Sequence, residues 1–474
     1  MHKSIVLLTA LAWLSGCAVG PDYQPVEPDA PERFLEAPQA SAGSADEQRF
    51  WAGFDDPMLA GLIRQTLDAN RDLRAALARY QRAEALLRGS RAEQLPNVGV
   101  SASAAEQHLA DVERTPPGAG DDRVELYQAA AGLSWELDLF GRLRRASEAQ
   151  RAELGAAGAD LAALQVALVG QLATSYFELR GLQQQLLVAR STVDNQRQSL
   201  EIVRSRVGAG RGTAFDEVRA ISQLEATRAV IPDLQAAVRA RMFRIAVLTG
   251  QNPGALVDEL APPAPLPESL PVIPVGSPGE VLRRRPDIRA AERRLAAASA
   301  RIGVATADLF PSFSLDALIG SVASDSGDLF SAGAESRRVA LGVDWTFLDF
   351  GRVRSRIDAA DADSRAALAN YEQTVLLALE ETETQLVRYA RSRERSERLG
   401  AATDAAGEAA ELARTRYRQG FIGFFEVLAA EQELIDTRDA LIESRTAETL
   451  AMVNIYRALA GAPGAATPIA SAND

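Results

Sequence analysis

The sequence of 474 residues contains little of the raw material that catalysis and metal binding need. It has one cysteine, Cys17, two histidines and one lysine, Lys3. Disulfides, Cys/His zinc sites and histidine-based catalytic triads therefore lack their components. The aspartates and glutamates are scattered, and no pair of them is set apart by its spacing. We expect no metal centre, no catalytic residues and no enzymatic activity.

Positive charge and long apolar runs are scarce too. The formal net charge is −13, and loss of Lys3 with the export signal described below would leave −14. Such an acidic chain is not expected to bind nucleic acid or anionic lipid. Beyond residue 16 we find no apolar run long and charge-free enough to predict a transmembrane helix. If the protein crosses a membrane, we therefore expect it to do so as β-strands.

The amino terminus has the layout of a bacterial lipoprotein signal. Residues 1–16 combine a basic residue, an apolar run over residues 5–14 and small residues before the cut. Cys17 follows directly after Leu-Ser-Gly, and its thiol can form a thioether to diacylglycerol. We predict a mature chain that begins at Cys17 with S-diacylglycerol and N-palmitoyl groups, and Ala18 in place of Asp favours sorting to the outer membrane. The alternative is a cleaved signal with a chance cysteine, or a cysteine that pairs with another chain.

An internal duplication is the most informative feature of the sequence. Residues 70–76 return as residues 285–291 at a shift of 215, as Pro96 returns as Pro311. Residues 135–144 return as residues 345–354 at a shift of 210. The same shift of 210 relates Arg206, Gly210, Phe215, Ala220, Leu224, Thr227 and Arg228 to Arg416, Gly420, Phe425, Ala430, Leu434, Thr437 and Arg438. The change of five residues falls before Trp135, where residues 115–122 are typical of an exposed loop.

Each copy predicts the same order of elements. Copy one, residues 56–250, has a helix at about 56–93 that Pro96 stops, strands at about 96–106 and 126–139, and a helical hairpin at about 142–249. Copy two, residues 280–460, has a helix at about 281–308 that Pro311 stops, strands at about 311–322 and 337–348, and a helical hairpin at about 352–460. The remaining segments are the signal peptide (1–16), a lipidated extended arm (17–55), a proline-rich linker (251–279) and a flexible tail (461–474).

Alternating side chains mark the strands, and leucine spacing marks the long helices. Every second residue from Tyr127 to Leu139 is apolar, and the same alternation returns from Val339 to Phe347. Segments of roughly ten residues with an aromatic near the end suit an outer-membrane barrel. The first helix of the hairpin at 142–249 would be roughly 95 Å long at 1.5 Å per residue. A soluble sheet buried on one face and a plain coiled coil are the alternatives for these two patterns.

Four strands cannot close on themselves. Their free edges would be unsatisfied in lipid, and small barrels start at about eight strands. We therefore expect several copies of the chain to pool their strands into one barrel, with the helices forming a bundle beneath it.

Six motifs, in this order, resemble those of TolC-type outer-membrane efflux proteins, specifically the lipoprotein (NodT/OprM-like) branch of tripartite RND efflux systems. They are CAVGPDY at 17–23, FW and FDDP within 50–57, RRPDI at 284–288, RYRQG at 416–420 and EVLAA at 426–430. The resemblance covers nearly the whole mature chain. It implies an α+β membrane protein, a homotrimer whose 12-stranded outer-membrane β-barrel takes four strands from each protomer and continues into a long periplasmic helical barrel. It further implies a passive exit duct for drugs or other small molecules, docked to a periplasmic adaptor and an inner-membrane RND-type transporter, with no cofactor beyond the lipid on Cys17.

The resemblance also implies functional residues at the two hairpin turns. The adaptor-docking residues would be Arg206, Gly208, Gly210, Arg416, Gly420 and Gly423. The periplasmic gate would comprise Tyr417, Asp216, Glu426, Phe215 and Phe425. This chain departs from the family at Phe215 and Ile422, where polar or basic gate partners often occur, and at Ala429, which lacks a second acidic group. We therefore expect a thinner acidic gate with an apolar constriction to which Phe424 adds; turn glycines also serve simply to reverse the chain.

A lipid-anchored structural or adhesive coiled-coil protein without a channel is the alternative function. The long helices alone would permit it, whereas the alternating strands argue against it.

Overall fold

A computed structural model describes residues 18–35, 47–114, 116, 122–271 and 275–459. The predicted signal peptide (1–16), Cys17 and the predicted tail (461–474) lie outside the described residues. The chain forms two compact units. The sheet unit comprises Met1–Val26, Arg79–Gly158 and Ala290–Tyr371, and the helical unit comprises Glu27–Ala78, Ala159–Arg289 and Glu372–Asp474.

In each copy, helices are followed by two strands and then by two long helices, the order that the duplication predicts. In chain order they are α1 (Glu47–Ala52), α2 (Pro57–Ala69), α3 (Arg71–Ala92), β1 (Asn97–His108), β2 (Arg123–Leu137), α4 (Arg142–Gly208), α5 (Ala214–Leu248), α6 (Val257–Leu260), α7 (Pro278–Arg284), α8 (Pro286–Ala307), β3 (Ser312–Ala323), β4 (Glu335–Asp344), α9 (Arg352–Gln419) and α10 (Phe424–Leu459).

The strands form one antiparallel sheet in the order β1-β2-β3-β4. Among the described residues, β1 and β4 are its edges, and each has a neighbouring strand on one side only. The strand β4 ends at Asp344, short of the predicted end at residue 348, because Ser312 opposite it is the first residue of β3.

The two faces of the sheet differ in polarity because side chains alternate along each strand. The registers place Val98, Val100, Leu133, Trp135, Phe313, Leu315, Leu341 and Val343 on one face, the apolar face. They place Ser101, Ser134, Glu136, Ser314, Asp316 and Asp344 on the other, the polar face. The predicted period of two therefore corresponds to a sheet with one side that is apolar except at its far end, where Glu106, Glu125, Glu335 and Arg337 lie.

Copy one has two helices where the sequence predicts a single helix at 56–93. Asn70 interrupts them with an extended backbone (φ −60°, ψ 135°). Its Oδ1 accepts hydrogen bonds from the backbone N–H groups of Asp72 (2.8 Å) and Leu73 (3.1 Å). Asn70 thus caps α3, because a side-chain oxygen satisfies amides that lack an intrahelical partner.

Copy two is interrupted at the corresponding place, so the prediction of one helix at 281–308 is also wrong. The extended residue is Arg285 (φ −61°, ψ 125°), which precedes Pro286. A proline ring disfavours the helical conformation of the residue before it. The resulting break separates α7 from α8.

Two segments predicted to be irregular contain helix. The arm at 17–55 contains α1, where Phe50 and Trp51 are buried and the Phe50 ring stacks on Tyr456 at 4.5 Å. The linker at 251–279 contains α6, and α7 begins at Pro278 within it. Burial of these apolar side chains explains the order of α1, since an isolated helix of this length would not be stable.

The helix α4 corrects the expectation that no segment beyond residue 16 could cross a membrane. Among the described residues it is the one helix that contains a stretch of 18 residues long and apolar enough to do so. A third of that stretch is buried inside the protein. Val169, Leu172 and Ala173 of α4 are fully buried in the core of the helical unit, so we attribute the apolar composition to packing.

Candidate functional site

The two hairpin turns of the helical unit are built alike. Gly210 (φ 70°) and Gly420 (φ 85°) have a left-handed backbone, which costs glycine little. The residue after each glycine donates its N–H to the carbonyl of Arg206 (2.9 Å) or Arg416 (3.0 Å), four residues before the glycine. These bonds satisfy terminal helix carbonyls and reverse the chain.

A small hydrophobic core holds the turns together. We call it the tip cluster; it consists of Val193, Leu200, Val203, Ala220, Leu224, Tyr417, Phe424 and Val427. These residues come from α4, α5, α9 and α10, so both hairpins contribute to one packed core.

Tyr417, a predicted gate residue, lies inside this tip cluster and is 8% exposed. The guanidinium of Arg206 lies 4.4 Å from the centre of its ring, and Arg206 Nη1 donates to the Tyr417 carbonyl at 2.5 Å. Burial raises the pKa of the Tyr417 hydroxyl, which the charge of Arg206 opposes. The contact joins the first hairpin to the second, so Tyr417 and Arg206 hold the two turns in a fixed relation.

The predicted acidic gate residues both lie at helix starts. Asp216 accepts hydrogen bonds from Thr213 N (3.1 Å) and Thr213 Oγ1 (2.7 Å), and its own N–H donates to Thr213 Oγ1 (3.2 Å). This reciprocal pattern caps α5. Glu426 is exposed in the first turn of α10, where a negative charge stabilises the helix. In the part of the chain that the structure describes, no group of three or more His, Cys, Asp or Glu side chains could hold a metal ion.

The three phenylalanines of the predicted apolar constriction do not behave alike. Phe215 and Phe425 are exposed, at 68% and 58%. Between them lies Arg219, whose guanidinium carbon is 4.6 Å from the Phe425 ring centre and 6.0 Å from that of Phe215. Phe424 is 4% exposed and packs on Tyr417, so the prediction that it adds to the constriction is wrong. Successive residues of a helix point in different directions, which separates the two adjacent rings.

Comparison with known proteins assigns the chain to a family. A family model described as "Outer membrane efflux protein" matches residues 62–251 and 277–461, one match for each copy of the duplication. The chain belongs to the outer membrane efflux protein family. This membership confirms the resemblance to TolC-type efflux proteins and decides against a channel-free adhesive protein.

Relatives of this efflux protein match it along nearly its whole length. Nodulation protein T of Rhizobium leguminosarum bv. trifolii is 31% identical over 459 residues, which are 93% of this chain and 94% of that protein. Solvent efflux pump outer membrane protein SrpC of Pseudomonas putida is 32% identical over 470 residues, 95% of this chain and 97% of that protein. The solved structure of the outer-membrane channel OprN has a TM-score of 0.87 at 41% identity and covers 94% of this chain and 99% of its own.

Sequence reasoning missed a buried ion pair near the turns of this efflux protein. Glu431 in α10 is 5% exposed, and its Oε1 accepts from Arg414 Nε in α9 at 2.8 Å. Ser199 of the first hairpin donates to the same oxygen at 3.5 Å. A glutamate amid apolar residues of a helix face is the signal that could have revealed it, because such a position predicts a buried, paired charge.

Near the predicted lipid site, the first described residues are held tightly within the sheet unit. Val19 N donates to the Phe140 carbonyl at 3.0 Å, and Arg145, whose side chain is 6% exposed, pairs with Asp22 at 2.6 Å. A side chain at Gly141 (φ 83°) would collide with Ala18. The residue that follows Cys17 is therefore fixed beside the end of β2.

Proposed function

We propose that three copies of this chain form the outer-membrane exit duct of a tripartite efflux pump. The duct conducts drugs or other small molecules passively to the exterior, without a catalytic step. The observation that carries this proposal is the four-stranded sheet with one apolar face and, within the described residues, two edges that lack a neighbour. The printed name of SrpC, a solvent efflux pump outer membrane protein, supports the pump assignment.

Strand number favours three copies. Successive strands of the sheet are antiparallel, so β1 and β4 run in opposite directions and β4 of one copy can pair antiparallel with β1 of the next. Two copies would give a barrel of about eight strands, whose interior side chains fill. Three copies give twelve strands, the smallest ring of whole chains that leaves a passage.

The hairpin turns are the surface that we assign to the adaptor. Arg416, Gly420 and Gly423 are exposed there, as are Gly208 and Gly210 of the first hairpin. The periplasmic adaptor would grip these turns and connect the duct to an inner-membrane RND-type transporter.

For the periplasmic gate we propose that some of the predicted residues form the constriction and that others position the turns. Phe215, Phe425 and Glu426 have exposed side chains and would form the constriction. Tyr417 is buried and Asp216 caps a helix, so these two would set the position of the turns. Substituting Phe215 and Phe425 together with alanine should raise single-channel conductance, whereas Val230→Ala, also exposed in α5, should leave it unchanged.

For the membrane anchor we propose that Cys17 carries S-diacylglycerol and N-palmitoyl groups. The hold of Arg145 on Asp22 would keep the lipidated end beside β2. Acyl chains contribute roughly 0.8 kcal/mol for each buried CH₂ group, enough for stable membrane association with two or more chains.

Mass measurement and conductance test the proposal together. Protein extracted from outer membranes in detergent should have the mass of a trimer and should form ion-conducting channels in planar bilayers. A monomer, or a trimer that conducts no ions, would refute the duct.

A further inference from the structure

The internal duplication extends to the hydrogen-bond register of the sheet. The strands β1 and β3 correspond end to end at the shift of 215 found in the sequence. Asn97 of β1 pairs with Ser134 of β2, and their counterparts, Ser312 of β3 and Asp344 of β4, pair in the same way. The register within copy one is therefore the register within copy two.

Side-chain contacts at the start of the sheet repeat as well. Trp135 Nε1 donates to the Gln94 carbonyl at 3.0 Å, and Trp345 Nε1 donates to the Leu309 carbonyl at 3.2 Å. Trp345 is the counterpart of Trp135 at the shift of 210, and Leu309 is the counterpart of Gln94 at the shift of 215. This indole–carbonyl bond is therefore the same in the two copies.

The seam between the copies has no counterpart within one chain. Strand β2 of copy one pairs with β3 of copy two, so the equivalent seam would join β4 to β1. These two strands are the opposite edges of the sheet and cannot meet within one chain. We propose that β4 of one copy pairs with β1 of the next in the register that places Asp344 opposite Ser101 and Trp345 opposite Val100. This inference rests on the proposed trimer.

Polar chemistry supports this register. Ser134 lies directly opposite Asp316 in the β2–β3 seam, so a hydroxyl and a carboxylate share the polar face there. The counterparts of these residues are Asp344 and Ser101, the same two residue types with their places exchanged. The proposed seam would therefore repeat the pairing of a serine with a carboxylate on the polar face.

Apolar exposure supports it too. Trp345 is 53% exposed and Val100 is 85% exposed, and the register brings the two together. Next to the β2–β3 seam, the rings of Phe140 and Phe310 stack at 4.6 Å. Their counterparts are Phe350 and Leu95, which are 89% and 66% exposed and would cover each other across the new seam.

Disulfide formation tests the register in the full-length trimer. Residues directly opposite on antiparallel strands have Cα atoms about 4.5–5.5 Å apart, within the range of a disulfide, whereas a pair offset by two residues is about 7–8 Å apart. Ser101→Cys with Asp344→Cys should link neighbouring copies about tenfold faster than the offset control, Ser103→Cys with Asp344→Cys. Within one chain, β1 and β4 are three strand spacings apart, roughly 14 Å, and cannot link.

The outcomes separate the register from the trimer. The parent chain, with Cys17 as its one cysteine, should show no cross-links between copies. If the reduced protein is a trimer but the offset pair links as fast, or neither pair links, the register is wrong. A monomeric mass would refute the proposed assembly itself. If Asp344→Cys does not reach the membrane, Ser103→Cys with Gly342→Cys tests the same register.

A charge at the proposed seam gives a second readout. Leu95→Asp should lower the fraction of trimer, because the aspartate would be buried against Phe350 of the next copy. Val112→Asp is the matched control, since Val112 is 81% exposed and lies beyond the end of β1. Equal trimer fractions for the two variants would contradict the proposed contact.

Discussion

Removing the guanidinium of Arg414 should loosen the hairpin turns far more than removing an exposed arginine of the same helix. In Arg414→Met the carboxylate of Glu431, 5% exposed, would stay buried without its cation. Breaking a buried ion pair in this way costs about 3–5 kcal/mol. The Arg414 side chain is 28% exposed, which places the expected cost at the low end, about 3 kcal/mol.

Hydrogen exchange of backbone amides in the intact protein measures this cost locally. A loss of about 3 kcal/mol raises the exchange rate of amides in the first turns of α10 about a hundredfold. Arg393→Met is the control, because its partner Glu397 and Arg393 itself are both exposed; it should change exchange less than about fivefold. If the two variants exchange alike, the buried pair contributes nothing and the tip cluster alone holds the turns.

Three further changes test the packing and charge of the helical unit. Phe424→Ala should lower the free energy of unfolding by about 3–5 kcal/mol, whereas Phe425→Ala beside it should cost under about 0.5 kcal/mol; equal shifts in hydrogen exchange would contradict the assigned burial. Tyr176→Phe should cost about 1.5–3 kcal/mol because the hydroxyl donates to the Asp56 carboxylate at 2.5 Å, and an unchanged thermal midpoint would show that this bond is not stabilising. Burial and then neighbouring carboxylates raise the pKa of Asp439 above its usual 3.8, so its ionisation opposes folding as the pH rises through the raised pKa. Asp439→Asn should therefore raise the thermal midpoint at pH 7, and the gain should disappear below pH 3.8.

The strands were predictable because each pattern is local. Alternation from Tyr127 onwards follows from a sheet with one apolar face, and a residue needs no knowledge of its partner to show it. The register could not be read from the sequence alone, because the shifts of 215 and 210 relate the two copies but do not say which residues pair. It became readable once one pairing, Asn97 with Ser134, was known.

The sequence contains a signal for each helix break, but the helix propensity of the neighbouring residues outweighed it in the prediction. Asn70 precedes an acidic first turn, which is typical of a cap, and Arg285 precedes a proline. Helix-forming residues on both sides favoured one continuous helix in each place. The break nevertheless forms at both places. At Asn70 the extended backbone lets the side chain accept hydrogen bonds from the first amides of α3, and at Arg285 it avoids a clash with the ring of Pro286.

The sequence places the predicted gate residues along the chain but does not show on which side of its helix each one lies. Tyr417 belongs to the turn as predicted, yet its ring is covered by Arg206, which is 211 residues away in sequence. Phe424 and Phe425 are identical and adjacent, and only packing in the tip cluster separates a core ring from an exposed one. Such contacts between distant segments leave no local pattern in the sequence.

The two edge strands, β1 and β4, make a single newly exported chain prone to aggregation. An edge strand offers a row of free backbone donors and acceptors to any other chain, and here exposed apolar side chains such as Val100 and Val343 belong to the edge strands. The seam within a chain forms at a rate that does not depend on protein concentration, whereas the proposed seam between chains would require an encounter with another copy. The yield of folded protein should therefore depend on the concentration of exported chains. At low concentration the edge strands stay unpaired and open to proteolysis, and at high concentration they pair wrongly and aggregate.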